Sequence, residues 1–598
     1  MRIHGSHADE AREPVLSRVA SFPEFAAKFT PVGRVRDLYR RAQQSPDGFK
    51  LENLLAAMRI RLRLDPTDQA RIPARGPVVV VANHPHGVLD AAILTVLLTR
   101  VRPDVRVLTN FLLADIPEFA QHCIFIDPFQ TDRSAECNRR AVRDALSWLQ
   151  KDGMLVIFPA GELSHTKLPM PQMARREWND TAVRLLRRSR ACALPVYVCG
   201  HSGLGTHLLG MMHPKLRTVF LLQQLAQQGG KTIELRIGCE IPHESVAEIE
   251  SDHNAIDYLR WRTYLLARRK KAEPSWPLAL RSRFIFSMQE AIAPAIDPAD
   301  LAEEIVNLPA DRCLIENGDL AVYLGSARET PKLLEEIGRL REFTFRQVGE
   351  GTGKRRDLDR FDDYYWHVLL WHKSRRELVG AYRAGNTADI LASYGISGLY
   401  TSTLFRYDER ILDTLGPALE LGRSFVRPEY QRQYAPLLLL WKGIARLIAA
   451  HPEIAVLFGA VSISNAYTQA SREIIYRFFQ MRMQEDALAG LVEPRQPFRP
   501  GLLRRWDFRG MCHAIRDLDQ LSEPITDLEP DGKGLPILLR QYSKIGGKLV
   551  AFNVDRKFSN VLDGLVLVDL RQTDPVVLER YMGTQAAARF RDLHNPAH

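Results

Sequence analysis

A short segment of the chain brings two histidines and an aspartate together directly after an apolar run. It reads Val81-Ala82-Asn83-His84-Pro85-His86-Gly87-Val88-Leu89-Asp90. A carboxylate can hold one nitrogen of an imidazole ring, so that the other nitrogen accepts a proton from an attacking hydroxyl group. His84 and His86 are both spaced to pair with Asp90. This pattern suits the transfer of an acyl group from a thioester to a hydroxyl group.

Three further blocks place polar residues at or near the end of an apolar run. They are Phe125-Ile126-Asp127-Pro128, Phe158-Pro159-Ala160-Gly161-Glu162 and Leu194-Pro195-Val196-Tyr197-Val198. The carboxyl ends of strands form the binding crevice of an open α/β sheet. We therefore expect Asp127 and Glu162 to lie near the substrate. Glu162 can meet a cationic headgroup or cap a helix, and the sequence leaves both roles open.

Apolar runs that alternate with helical stretches must position these blocks. The runs are Val78–Ala82, Val105–Leu112, Cys123–Ile126, Met154–Phe158, Leu194–Cys199 and Thr232–Ile241. Continuous apolar strands of this kind predict a largely parallel sheet with both faces covered. Residues 1–75 are predicted to form a helical, membrane-facing segment with basic faces, such as Phe49–Leu64. Charge and prolines over Arg268–Pro277 predict a domain boundary between there and residue 300.

The second half, predicted as a domain over residues 300–590, follows a different order of elements. A strand and a helix come first, then a polar loop, three strands, an apolar helix and one more strand. The predicted elements are Leu320–Leu324, Lys332–Arg346, His367–Trp371, Glu377–Arg383, Leu419–Val426, Ala435–Ala449 and Ile454–Val461. This order predicts an α+β domain of the acyl-CoA-binding type. The expected fold class is thus an α/β domain followed by an α+β domain.

Taken in chain order, the four blocks of the first half resemble the glycerolipid acyltransferases, which carry NHxxxxD, FIDR, FPEGTRS and VPV-type motifs. The resemblance covers residues 75–245 and implies a lyso-lipid O-acyltransferase domain over residues 76–275. Because His84 follows Asn83 as in the first motif, His84 is the expected base and Asp90 its partner. Asn83 and His86 are then expected at the substrate.

The first half departs from that family in two places. Five residues separate His84 from Asp90 where the family has four, and Gly87 can absorb the extra residue in a tight loop. Pro128 and Leu163 stand where the family has arginines, which suit the binding of a substrate phosphate. The acceptor is therefore expected to lack a glycerol phosphate group. Three other basic residues remain possible substitutes, namely Lys167, Arg175 and Arg176.

Several blocks of the second half resemble the N-acyltransferases that make lyso-ornithine lipid, a branch of the GNAT-like fold. They are Asp357-Leu358-Asp359-Arg360-Phe361-Asp362, Glu377 to Arg383, Glu420-Leu421-Gly422-Arg423-Ser424-Phe425-Val426, Ser462 to Asn465 and Leu535 to Asp569. The resemblance implies that strand Glu420–Val426 splays from its neighbour and pairs with the pantetheine arm of the donor. It gives Glu420 as the base that deprotonates the amine and Arg423 as the binder of a substrate carboxylate.

The same resemblance gives roles to three more residues. Asp359 and Asp362 are expected to order the acceptor amino acid, and each also suits a structural ion pair. His367 is either a second base or a strand histidine with its hydrogen bonds satisfied. Residues 427–436 contain no glycine-rich turn, which favours acyl carrier protein as the donor and leaves acyl-CoA possible.

As a whole, the chain resembles the bifunctional ornithine lipid synthases. The resemblance implies that the second half acylates ornithine with a 3-hydroxyacyl group and that the first half then esterifies the hydroxyl of lyso-ornithine lipid. Two alternatives stay open within enzymes. One is a lysophospholipid or glycerol-phosphate acyltransferase with a regulatory second half, and the other is a synthase of a related glycine, serine or glutamine lipid.

The composition indicates which binding partners and which cellular location to expect. The 598 residues are 45% hydrophobic and carry a formal net charge of +10, which suits an anionic membrane surface or an acidic protein partner. No nucleic-acid-binding pattern accompanies this charge. The seven cysteines form no CxxC pair, so neither a zinc site nor a disulfide framework is expected, and no cofactor beyond the acyl donor. Without a signal sequence or spanning segment, we expect a peripheral protein on the cytoplasmic face of a bacterial inner membrane.

Overall fold

The computed structural model describes residues 41, 51–110, 121–127, 134–160, 178–200, 229–269, 289–482, 488, 490–503 and 508–594. The chain divides into two compact units, each with its own sheet. The first unit consists of Met1–Arg269 together with Arg505–Leu528, and the second consists of Lys270–Arg504 together with Glu529–His598. The expected α/β class is confirmed, with a mixed sheet flanked by helices in each unit.

A seven-stranded sheet forms the centre of the first unit. Its strands are β1 (Arg61–Leu64), β2 (Val78–Ala82), β3 (Val105–Asn110), β4 (Cys123–Ile126), β5 (Met154–Ile157), β6 (Cys192–Val198) and β7 (Thr232–Ile237). They lie in the order β1-β7-β6-β2-β5-β3-β4, and all neighbours are parallel except β6 and β7. All five residues of β2 are buried, as expected for a central strand with both faces covered.

Helices cover this sheet and connect its strands. Those in the described residues up to Arg269 are Leu51–Ala57, Pro66–Gln69, Val88–Thr99, Ser134–Leu149, Thr181–Ser189, His243–Ala247 and Asp252–Leu265. Helix Val88–Thr99 directly follows β2 and packs its leucines and Ile93 into the main hydrophobic core. This helix therefore anchors the loop after β2 to the hydrophobic core of the unit.

The prediction of a helix through Phe49–Leu64 is wrong at its end. The helix stops at Ala57, and Arg59 adopts a left-handed backbone with φ of 55°. The next residues, Arg-Leu-Arg-Leu, alternate between exposed and half-buried and form β1, which pairs in parallel with β7 from Thr232. An alternating pattern of period two fits a sheet edge better than a helix, so tertiary pairing determines the structure here.

A segment from late in the sequence completes the first unit. Its helices Arg509–Ala514 and Leu518–Leu528 belong to this unit although the second unit's chain precedes and follows them. Asp527 is fully buried, with Oδ2 2.9 Å from Nη2 of Arg262, which is also fully buried. Its Oδ1 accepts the backbone N–H of Cys239 at 2.6 Å and lies 3.4 Å from Nη1 of Arg71. The sequence-based ranges place residues 505–528 in the second domain, whereas the structure packs them in the first unit.

The second unit is built on an eight-stranded sheet in the order β16-β17-β14-β13-β11-β10-β9-β8. Its strands are β8 (Cys313–Asn317), β9 (Leu320–Gly325), β10 (Trp366–His372), β11 (Glu377–Asn386), β13 (Ala418–Val426), β14 (Val456–Ile463), β16 (Lys548–Asp555) and β17 (Val561–Asp569). All neighbours are antiparallel except β13 and β14, which are parallel. Strands β12 (Phe405–Tyr407) and β15 (Val492–Pro494) form a separate pair.

The helices of the second unit match the predicted ones closely where a prediction exists. They are Pro298–Asn307, Pro331–Gln347, Thr387–Tyr394, Arg410–Leu415, Ala435–Ala450, Gln469–Arg482, Ile537–Lys544, Pro575–Met582 and Thr584–His594. Helix Ala435–Ala450 lies between the parallel strands β13 and β14 in sequence, which is the crossover that parallel strands require. Within the described ranges of the chain, no helix has the length and apolar character needed to cross a bilayer.

Candidate functional site

The loop after β2 places His84 beside Asp90 in the first unit. Nδ1 of His84 lies 3.1 Å from Oδ2 of Asp90, and Asp90 is fully buried whereas the His84 side chain is 19% exposed. The ring is turned so that Nδ1 makes no regular hydrogen bond, and hydrogen bonds in unliganded active sites commonly tighten only when substrate binds. An imidazole held in this way can take a proton from a hydroxyl nucleophile through its other nitrogen.

The backbone of this loop explains how the pair comes together across five intervening residues. Gly87 has φ of 64°, a left-handed conformation that turns the chain sharply into helix Val88–Thr99. Asp90 then falls in the first helical turn, where the helix dipole favours a carboxylate. The backbone N–H of His86 donates to Oδ2 of Asp90 at 2.7 Å. The Asp90 carboxylate is thus held in place by the backbone of the same loop that carries His84.

Two residues expected at the substrate have positioning contacts instead. Asn83 is buried, and its side chain donates to the carbonyl of Val198 at 2.9 Å and accepts the N–H of Val198 at 2.7 Å. The ring of His86 is also buried, with Nε2 3.2 Å from the carbonyl of Cys199. These contacts bind the loop to the end of β6, so neither side chain is available to a substrate, and this correction leaves His84 as the exposed histidine of the pair.

The remaining blocks of the first half differ in what the structure describes. Phe158, directly after β5, stacks on the His84 ring with centroids 4.2 Å apart. Asp127 directly follows β4, and its backbone is held by Asn138 through two hydrogen bonds of 2.8 Å. Glu162 lies outside the described residues. A stacked phenylalanine limits rotation of the imidazole, and the sequence analysis did not assign this role to Phe158.

Strands β13 and β14 of the second unit separate to open a cavity. They pair in parallel only from Ala418 to Glu420 on β13, and the residues beyond this point have no partner on the other strand. At Gly459 of β14 the two backbones are so close that a β-carbon would come within 2.0 Å of the carbonyl oxygen of Leu421. This contact lies at the point from which the strands diverge, so the predicted splay of Glu420–Val426 is present.

The cavity between the separated strands has a volume of about 540 Å³. Its walls include Leu421–Val426 of β13 and Ala460–Ser462 of β14, with Gln431–Tyr434 and helix Ile537–Lys544 contributing further residues. Its lining is largely apolar, but Glu350, Tyr400, Arg423, Asp555 and Asp563 also reach it. A mostly apolar cavity of this size with a few convergent charged groups is the usual form of a small-molecule site.

Glu420 is not placed to act as the base. Its carboxylate is buried and accepts hydrogen bonds from the backbone N–H of Thr401 at 2.7 Å, that of Tyr400 at 3.1 Å and the hydroxyl of Tyr365. Burial and the charge of Glu420 raise the pKa of the Tyr365 hydroxyl, which keeps it a donor. Glu420 therefore holds the 3₁₀ helix Tyr400–Thr403 in place, and Tyr400 in turn lines the cavity.

Asp359, Asp362 and His367 do not line the cavity; Asp362 and His367 are buried, and the Asp359 side chain is 26% exposed. Asp359 and Asp362 make a capping box on the 3₁₀ helix Arg360–Asp363. Burial raises the pKa of Asp362, but the charges of Arg341 at 2.7 Å and Arg383 at 3.2 Å outweigh burial and lower it. Burial lowers the pKa of His367 to about 4, so this ring is a weak base, and it is fully buried without lining the cavity. The expected contacts of these three residues with the acceptor are thus corrected to structural ones.

Arg423 does reach the cavity, as the sequence analysis expected. It sits at an irregularity of β13 with φ of 49°, where the pairing with β11 shifts its register. Its guanidinium lies over the rings of Tyr400 and Phe558, with Nη1 3.4 Å from Oδ2 of Asp357. Nε makes no hydrogen bond within the residues that the structure describes. A guanidinium held on two aromatic faces with a donor to spare can bind a carboxylate.

Three acidic residues of the cavity were missed by the sequence analysis, namely Glu350, Asp555 and Asp563, and two of them have a raised pKa. Glu350 lies between Gly349 and Gly351, and burial raises the pKa of its carboxyl group to about 7. Asp563 lies on β17, where burial and the charges of Asp555 and Glu350 raise its pKa well above the ordinary value. The only hint in the sequence was the position of Glu350 between two glycines, and nothing else in that loop indicated a binding site.

The sequence matches two protein families, one in each half. Residues 63–199 match the acyltransferase family, and residues 340–442 match the acetyltransferase (GNAT) domain family. A solved structure of a CoA-dependent acyl-homoserine lactone synthase covers 45% of this chain and 97% of its own, at 14% identity and a TM-score of 0.21.

Three curated relatives are similar to part of the chain. It is 32% identical over 262 residues to a glycine Nα-acyltransferase of Bacteroides thetaiotaomicron, which covers 41% of this chain and 76% of the relative. It is 30% identical over 307 residues to a glycine Nα-acyltransferase of Phocaeicola vulgatus, covering 48% and 90% respectively. It is 26% identical over 246 residues to an L-ornithine Nα-acyltransferase of Brucella abortus, covering 39% and 78%.

These findings define the protein as an acyltransferase of two units, the second of which contains a GNAT-type domain. More narrowly, the chain belongs to the family of Nα-acyltransferases that includes the Bacteroides glycine enzyme.

Proposed function

We propose that this chain makes an acyloxyacyl amino-acid lipid by two acylations in sequence. The second unit joins a 3-hydroxyacyl group to the α-amine of an amino acid. The first unit then esterifies the 3-hydroxyl group with a second fatty acid. The observation that carries this proposal is the presence on one chain of both the His84–Asp90 pair and a splayed-strand cavity with charged groups in its walls.

The proposed acceptor is ornithine, which gives ornithine lipid as the product. The relative from Brucella, an L-ornithine Nα-acyltransferase, supports this choice. Glycine is the second candidate because two relatives of higher identity are glycine Nα-acyltransferases. Both amino acids present the same α-carboxylate, which suits the Arg423 guanidinium.

In the first unit, His84 acts as the general base of the O-acylation. The imidazole removes the proton of the 3-hydroxyl group while the oxygen attacks the thioester carbonyl of the donor. The carbon–sulfur bond then breaks, and the imidazolium returns the proton to the leaving thiolate. Asp90, fully buried beside Nδ1, stabilises the charged ring between these two steps. Pro128 and Leu163, which replace the arginines of the glycerolipid enzymes, suit an acceptor without phosphate.

In the second unit, the donor's pantetheine arm lies along β13, whose residues 421–426 lack a partner on β14. The cavity opens beside Gln431–Tyr434, all of which are exposed and include Arg432. An exposed arginine at the entrance and the lack of a glycine-rich turn favour acyl carrier protein, whose surface is acidic, over acyl-CoA. The net charge of +10 supports peripheral attachment to the anionic cytoplasmic leaflet of a bacterial inner membrane.

Lipid analysis of a host without aminolipids tests the proposal. Expression of the full chain there should yield a lipid whose fragments contain one amino acid, one amide-linked 3-hydroxyacyl group and one ester-linked acyl group. Mass spectrometry identifies the amino acid directly and so decides between ornithine and glycine. If no such lipid appears and the chain instead rescues a strain deficient in lysophosphatidate acylation, the bifunctional proposal is wrong.

A further inference from the structure

Two acidic side chains on different elements meet at one wall of the cavity in the second unit. Glu350 belongs to the loop after helix Pro331–Gln347, and Asp563 belongs to β17. The hydroxyl of Ser462 donates to Oε2 of Glu350 at 3.2 Å, and Ser462 is the direct cross-strand partner of Asp563. Residues directly opposite in an antiparallel pair point to the same face of the sheet. The two carboxyl groups therefore border the same part of the cavity.

The loop that carries Glu350 is held rigidly. Gly349 and Gly351 on either side have φ of 74° and 112°, conformations that favour glycine. The backbone N–H of Glu350 donates to the carbonyl of Phe345 at 2.9 Å. The fully buried Glu342 then accepts the backbone N–H of Thr352 at 3.0 Å and that of Gly353 at 2.8 Å. Fixing the backbone at both sides directs the Glu350 carboxyl group into the cavity.

Asp563 is a buried aspartate at the cavity wall. Only 5% of the residue is exposed, and it borders the cavity. In the described part of the chain, no group donates a hydrogen bond to its carboxylate, and no cationic nitrogen lies within ion-pair distance. A buried carboxyl group normally has a partner. An unsatisfied one that faces a cavity points to a cationic or hydrogen-bonding ligand.

The other charged and polar groups around this wall indicate the chemical class of the ligand. Arg423 faces the cavity from β13 and Asp555 from β16, while Tyr400 and Ser462 contribute hydroxyl groups. Arg423 acts electrostatically on both Glu350 and Asp563. This wall therefore combines the Arg423 cation with three carboxyl groups, which complement the carboxylate and the ammonium of an amino acid.

We infer that Glu350 and Asp563 form a subsite for a primary ammonium group of the acceptor amino acid, near the Arg423 guanidinium that binds its carboxylate. This inference rests on the proposed N-acylation by the second unit. The ammonium is either the α-ammonium, present in every amino acid, or the side-chain ammonium of ornithine. Glycine has only the first of these and ornithine has both, so the two acceptors distinguish the two sources.

Steady-state kinetics of N-acylation by the full-length chain test the subsite. Asp563→Asn and Glu350→Gln keep the shape of each side chain and remove its charge. Each should raise the acceptor KM at least about tenfold, because a hydrogen bond to a charged group is lost, and leave the donor KM unchanged. Glu316→Gln, an exposed residue of β8, is the matched control and should change neither constant.

Comparison of the acceptors then assigns the ammonium. An equal rise in KM for glycine and ornithine assigns the subsite to the α-ammonium. A rise for ornithine alone assigns it to the side-chain ammonium. An unchanged KM for both acceptors overturns the inference. Because burial and neighbouring acids raise the pKa of Asp563, its neutral amide should fold normally, and an unchanged or raised melting temperature verifies this.

Calorimetric binding separates failure of this inference from failure of the proposed function. Glycine, ornithine and glycolate, in which a hydroxyl replaces the amine, are titrated into the full-length chain. Ornithine should bind more tightly than glycolate under either assignment, and glycine should do so if the subsite takes the α-ammonium; Asp563→Asn should remove this difference. Equal binding of glycolate and of both amino acids to the wild-type chain overturns the inference even if N-acylated product is made. Absence of N-acylated product with any amino acid instead contradicts the proposed function.

Discussion

The two sites of this acyltransferase are constructed in opposite ways. In the first unit, a continuous segment of seven residues contains both His84 and Asp90, and the reactive ring is partly exposed after the end of a strand. In the second unit, Glu350, Arg423 and Asp563 come from three distant parts of the chain and line a cavity, and the two acids are buried. The first site thus depends on local geometry. The second depends on burial, which changes the protonation of its acids and makes it more sensitive to pH.

The largest expected effect is that of His84→Ala on the first site. Loss of a general base typically costs about 10²–10⁴-fold in rate, so O-acylation should fall by that factor while N-acylation continues. Lipid mass spectrometry should show accumulation of the mono-acylated lipid. His253→Ala is the matched control, since its side chain is 65% exposed and pairs only with Asp257 at one helical turn. Unchanged diacylated product in the His84 variant would rule out this histidine as the base.

The second largest effect is expected at Asp527. A variant there tests whether the first site depends on residues 505–528 as well as on its own short segment. Asp527→Ala leaves the fully buried Arg262 without one of its two carboxylate partners, the other being Glu523, and breaking such a pair costs about 3–5 kcal/mol. Thermal unfolding of the full chain should show the first unit destabilised and O-acylation reduced. Asp180→Ala, which removes an exposed pair with Arg184 in the same unit, should change stability by about 0–1 kcal/mol. Equal effects of the two variants would contradict a stabilising role for residues 505–528.

A smaller effect is expected from Glu420→Gln in the second site. The glutamine can replace only part of the acceptor capacity that Tyr365, Tyr400 and Thr401 use, at a cost of about 1–3 kcal/mol of stability. The rate of N-acylation should fall because Tyr400 shifts, but the shape of its pH profile should stay the same. If the acid limb of that profile disappears, Glu420 is the base after all and the comparison of the two sites changes.

The smallest effect is a pH dependence of acceptor binding in the second site. The pKa of the Glu350 carboxyl group is raised to about 7, so this group is charged above that pH and neutral below it. The acceptor KM should therefore rise as pH falls through about 7. Asp555, Asp563 and Arg423 face the same cavity and remain in the Glu350→Gln variant, which should lose most of this dependence. An identical KM profile in the variant and the wild type would assign the dependence to another group.

The difference between the sites also explains what the sequence could reveal. The strands of the first unit were predictable from continuous apolar runs, and the His84–Asp90 pair from its spacing, because both signals are local. Strand β1 was missed because its pairing with β7 decides its structure. Nothing in the sequence indicated that residues 505–528 pack in the first unit. Arg262 and Asp527 are 265 positions apart, and each resembles an ordinary surface charge.

In the second unit, the sequence indicated the splayed strand and Arg423 but misjudged the acids around them. Glu420, Asp359 and Asp362 have the residue types of a catalytic site, yet their hydrogen bonds and ion pairs are internal. Glu350 and Asp563 are separated by more than two hundred residues and become neighbours only through the pairing of β14 with β17. Which acid faces a cavity is a property of tertiary packing and cannot be derived from residue spacing.

Isotopic labelling of the second acylation tests the central claim most directly. Purified full-length chain is given a synthetic N-(3-hydroxyacyl)-ornithine, its glycine counterpart, and a labelled long-chain acyl donor as either the carrier-protein or the CoA thioester. The account predicts label in an ester that mild alkali releases, with no label in the amide, and loss of this ester in His84→Ala. Label confined to the amide, or ester formation that persists in His84→Ala, would contradict the account.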